Sequence, residues 1–64
     1  MITDTVVRAI DSEIADLQRV IDADEAILKH EKLHEKRDPL ISEIDRLQDR
    51  IAKLRRRREH FLVG

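Results

Sequence analysis

A chain of 64 residues forms one domain at most, and at that length only about 60% of the unfolded surface is buried on folding, so a lone monomer is marginal. The absence of cysteine excludes disulfides and thiolate metal sites. With 42% charged residues, one aromatic residue, one terminal glycine and a net charge of −1, the composition is that of long helices, with no global drive toward nucleic acid or anionic lipid.

From the N-terminus, Thr3 or Thr5 offers a hydroxyl that can accept a free amide hydrogen at a helix start. No glycine or proline then interrupts the chain until Pro39. Val7, Ile10, Ile14, Leu17, Ile21 and Leu28 recur at three- and four-residue steps, with Asp24 in the one missed position. That spacing keeps them on one side of a helix and makes a seam that another helix must cover. Val6, Val20 and Ile27 widen the apolar stripe beyond what a single partner helix needs. The pattern predicts helix one over about residues 4–35.

Asp38-Pro39 is the strong punctuation mark. Proline disfavours helical geometry in the residue before it, and aspartate followed by proline suits an N-cap and first-turn pair. This predicts a turn at about 36–38 and helix two over about 39–61. Leu40, Ile44, Leu47, Ile51, Leu54 and Phe61 continue the repeat there, with Arg58 interrupting it. The connection length suits an antiparallel hairpin. One long helix kinked at Pro39, or a chain that also turns at Asp22-Ala23-Asp24, are the alternatives.

Charge supports the hairpin. Residues 1–32 hold four Lys/Arg against eight Asp/Glu, whereas residues 33–64 hold nine against six. Antiparallel pairing would bring Asp11, Glu13 and Asp16 near Arg55, Arg56, Arg57 and Arg58. A turn at 36–38 also sets Phe61 beside Ile14 and leaves Ile2, Val6, Val7 and Ile10 beyond the folded-back helix, to be covered by another chain.

Two motifs invite a chemical reading. His30-Glu31-Lys32-Leu33-His34 fits H-E-x-x-H, which on a helix presents two histidines to zinc with a glutamate as general base, as in the zincin metalloproteases it resembles over these five residues. A zincin also needs a third ligand and a cleft, so His30 and His34 are weak metal candidates and no catalytic residue is assigned. Arg55-Arg56-Arg57-Arg58 is a possible anion or nucleic-acid contact. Four consecutive arginines fan around a helix, however, and Phe61 is the lone aromatic residue for base stacking.

Ile21-Asp22-Ala23-Asp24-Glu25, in so short a helical chain, resembles the turn region of the Rop family of plasmid-encoded RNA-binding proteins. The resemblance covers these five residues and the overall size. It implies a two-helix hairpin that dimerises into a four-helix bundle and binds paired RNA loops through one helix face. In Rop that turn lies mid-chain, whereas here a further helix-forming segment follows it, and no RNA-contact residue carries over.

The expected fold is therefore all-α: an antiparallel two-helix hairpin, coiled-coil-like, dimerising into a four-helix bundle. Its interface residues are Val6, Val7, Ile10, Ile14, Leu17, Ile21, Leu28, Ile44, Leu47, Ile51, Leu54 and Phe61. The expected function is non-enzymatic protein interaction, as a self-associating adaptor, anti-factor or assembly accessory protein, phage ones included, with a Rop-like RNA or DNA regulator as the alternative. Expected partners are a second copy and another protein, with no cofactor and no membrane. The expected setting is cytoplasmic or virion-associated.

Overall fold

In the computed structural model, which describes residues 2–63 and the side chains of 3–62, the chain is a hairpin of two helices, α1 (Ile2–His30) and α2 (His34–Val63). The hairpin measures 49 × 14 × 11 Å. Ile21, Ile44 and Ile51 form the buried seam, and Ile14, Leu17, Leu28 and Leu47 pack against them. Ile21 is the most enclosed, at 1% exposure. The seven-residue repeat produces this seam directly, because alternate three- and four-residue steps return each apolar side chain to the side facing the other helix.

The turn lies at residues 31–33, not 36–38, so helix one is shorter and helix two longer than the proline suggests. Leu33, the turn residue just before α2, opens it by accepting at its carbonyl from the amides of Lys36 and Arg37 at 3.0 Å. The Glu31 carboxylate accepts the Leu33 amide hydrogen at 3.2 Å and braces the turn. Arg37 then reaches back, donating through Nη1 to the carbonyls of Leu28 at 2.7 Å and Glu31 at 2.8 Å. The Leu28 carbonyl lies in the last turn of α1, which lacks intrahelical donors, and the Glu31 carbonyl lies just beyond it, where positive charge is favoured. A cation four residues past the turn thus caps the preceding helix.

Pro39 sits inside α2. It removes the amide that would bond to the Glu35 carbonyl, but Glu35 is exposed and that carbonyl can be hydrated. The helix tolerates the proline because burial decides the turn position. Turning at 31–33 makes the helices 29 and 30 residues long, so α2 runs the full length of α1. Ile10 is buried at 7% exposure and Val6 and Val7 are half-buried, so among the described residues the expected N-terminal overhang is covered. The side chain of Ile2 lies outside the described residues. Thr3 and Thr5 fall within α1 instead of capping it, and Ile21–Glu25 is continuous helix, with no turn at Asp22-Ala23-Asp24.

Two substitutions separate the roles of Arg37 and Pro39. Arg37→Met should lower hairpin stability by about 1–3 kcal/mol, the range for hydrogen bonds to a charged group. Pro39→Ala should raise it by up to about 3 kcal/mol by restoring helix propensity and one backbone bond. Thermal unfolding by circular dichroism reads both, and a loss of stability in Pro39→Ala would mean that proline makes the turn.

Candidate functional site

The charged residues are arranged along two flanks of the seam. Arg50 donates to Glu13 at 2.6 Å and Arg58 to Asp11 at 2.6 Å, tying α2 to α1. Asp16 pairs within its own helix with Arg19 at 3.3 Å, and Lys53 with Asp49 at 3.0 Å. Such exposed pairs contribute about 0–1 kcal/mol each, so the two that join the helices, Arg50–Glu13 and Arg58–Asp11, select the antiparallel register more than they hold it. Arg58 interrupts the apolar repeat because its guanidinium is committed to Asp11. Arg55, Arg56 and Arg57 are exposed and enter none of these pairs.

The H-E-x-x-H residues span the turn. His30 is the last residue of α1 and His34 the first of α2, so they do not share a helix face, and both are exposed. Among the described residues, no group of three or more His, Asp or Glu side chains stands close enough to hold a metal ion. Nor is any described helix long and apolar enough to cross a membrane. A shallow groove of about 300 Å³ lies between the helices, lined by Asp11, Ile14, Arg55, Arg58 and Glu59. Its Arg58 is already neutralised by Asp11.

Asp24 is the anomaly of the seam. It is buried at 7% exposure, and its Oδ2 is the one buried side-chain atom without a hydrogen-bond partner among the described residues. Glu43, from α2, lies within hydrogen-bonding reach of it. Two carboxylates therefore meet on the turn side of the hairpin's midpoint. The proximity of Asp24, through hydrogen bonding and then charge, raises the pKa of Glu43 above its ordinary 4.5, with burial adding to the rise and Arg46 opposing it. Sequence reading finds Asp24 as a break in the repeat, but its acidic neighbour follows only from the register.

A second pair of rows occupies the flank that holds Asp24 and Glu43. On α2 it runs Leu40, Glu43, Leu47, Arg50, Leu54, Arg57 and Phe61, again at three- and four-residue steps. On α1 it runs Glu13, Leu17, Val20, Asp24 and Ile27. The Arg50–Glu13 bond and the Glu43–Asp24 approach place both rows on one flank. Leu17, Leu40, Leu47, Leu54 and Phe61 are only half-buried, while Val20 is 42% and Ile27 51% exposed. By helical phase the other flank of α1 carries Asp4, Asp11, Gln18 and Glu25, all exposed and polar. Comparison with known protein families, curated proteins and solved structures gives no match.

The acidic pair makes stability depend on pH in a definite direction. Because Glu43 binds its proton more tightly when folded, its contribution favours the folded state once pH falls through its raised value. That contribution is lost as pH rises back through the same value. Glu43→Gln should raise the thermal midpoint at neutral pH and abolish this acid-side gain. The comparison is between parent and variant profiles, and superimposable profiles would contradict the assignment. Asp24→Leu should stabilise by about 1–3 kcal/mol, the cost of an unsatisfied buried polar group.

Proposed function

We propose that this hairpin is a non-enzymatic interaction module that self-associates through its apolar flank into a dimeric four-helix bundle, and acts in that form as a small adaptor, anti-factor or assembly accessory protein. The observation that carries the reading is the partly exposed apolar row on one flank, where Val20 and Ile27 are exposed, Leu40, Leu54 and Phe61 are half-buried, and Leu17 and Leu47 stay half-buried although they also pack against the seam. Two helices cover only their mutual seam, and apolar side chains left partly open along its edge mark a contact surface. A flank 49 Å long and 14 Å wide offers roughly 700 Å² per copy, close to the area of a standard protein interface.

The Rop-like reading keeps one supporting observation, the exposed Arg55, Arg56 and Arg57 at the open end of the hairpin. Phosphate binding by such a cluster would weaken steeply with salt.

The thermal midpoint should rise with protein concentration over a hundredfold range, as expected where association is coupled to folding. Val20→Gln with Ile27→Gln, both already exposed, should leave the hairpin helical while shifting the mass in light scattering toward monomer. A concentration-independent midpoint with monomer mass would overturn the self-associating module. Micromolar binding to structured RNA at physiological salt, lost on changing Arg55, Arg56 and Arg57 to Gln, would put the nucleic-acid reading in its place.

A further inference from the structure

The row on α2 reads nearly the same from either end. Around Arg50, Leu47 mirrors Leu54, Leu40 mirrors Phe61, and Glu43 mirrors Arg57. The apolar positions are matched in kind and the outer charged pair is matched in opposite sign. A two-fold dimer interface brings residue i of one copy against residue j of the other, and j against i, so a self-complementary row is what such an interface requires. Arg50, at the centre, is already neutralised by Glu13 of its own chain at 2.6 Å.

We propose that a second copy docks on this flank antiparallel, turn end against open end, with α2 packed on α2 and Arg57 of each copy set against Glu43 of the other. Resting on the self-association proposed above, this adds the orientation and the residues that fix it. In a parallel dimer, Asp24 and Glu43 of both copies would gather at one end, putting four carboxylates together in a partly desolvated place, where like charges are costly. The antiparallel arrangement instead supplies a cation to each acidic pair. It compensates Asp24, whose Oδ2 has no partner within the hairpin, through the outer carboxylate of Glu43. It also gives Arg57, exposed and outside every pair in the hairpin, a counter-ion. At 1.5 Å per residue, Glu43 and Arg57 stand roughly 10 Å either side of Arg50, which lies near the middle of the hairpin.

Charge reversal tests the pairing. Glu43→Arg and Arg57→Glu, measured by sedimentation equilibrium, should each weaken dimerisation about tenfold or more, since each change occurs twice per dimer, and the double variant should recover most of the loss. A nitroxide at Lys36→Cys, usable because the chain has no cysteine of its own, reads the orientation. The antiparallel dimer predicts a turn-to-turn distance of roughly 40 Å, and a parallel one under about 20 Å. A dimer tightened by Glu43→Arg, or one with its turns together, would overturn the orientation while leaving self-association standing. A monomer at all concentrations would overturn both.

Discussion

Covering the apolar row of α1 over its whole length is the requirement around which the hairpin is organised. That row begins near the N-terminus, and α2 reaches its far end only if the chain reverses early enough to leave two helices of 29 and 30 residues. Reversal at 31–33 satisfies this, and Ile10 is buried as a result. The local cost is a turn without glycine, asparagine or proline, made from Glu31, Lys32 and Leu33. Arg37 offsets that cost by bonding two carbonyls at the end of α1. Pro39 is carried inside α2 as a smaller penalty.

The same register that completes the seam brings Asp24 against Glu43. A buried carboxylate with an unpartnered oxygen is destabilising within the isolated hairpin. So is a row of leucines left half-open to water on the same flank. Both deficits are on one side of the molecule, while the opposite flank of α1 carries the polar Asp4, Asp11, Gln18 and Glu25. A partner applied to that side would relieve them together, the apolar row by burial and the acidic pair by a facing cation. This coincidence joins the proposed module to the proposed orientation.

Much of the fold is legible in the residues. Ile14, Ile21, Ile44 and Ile51 announce the seam through their spacing, and the acidic first half and basic second half announce antiparallel pairing. The turn is not legible, because Asp38-Pro39 carries the strongest local signal and local signals yield to burial. Nothing in Glu31-Lys32-Leu33 marks a reversal without knowing that Arg37 will cap Leu28 and Glu31. Misplacing the turn also misplaces what depends on it: the overhang of Val6, Val7 and Ile10 vanishes, and His30 and His34 separate onto different helices. Asp24 shows as an interruption of the repeat, whereas its pairing with Glu43 depends on register, which a few residues of error in the turn are enough to hide. Leu40, Leu47, Leu54 and Phe61 show in the spacing as part of one repeat with Ile44 and Ile51, but that they stay half-buried at its edge while the isoleucines are enclosed depends on the packing.

Small-angle X-ray scattering on the unmodified chain at several concentrations bears most directly on the claim that a second copy covers the apolar flank. The account predicts a mass twice the 7.6 kDa of the chain with a maximum dimension still close to that of a particle 49 Å long, because the copies lie side by side. A mass of one chain at every concentration, or a dimer nearly twice as long as the hairpin, would contradict it.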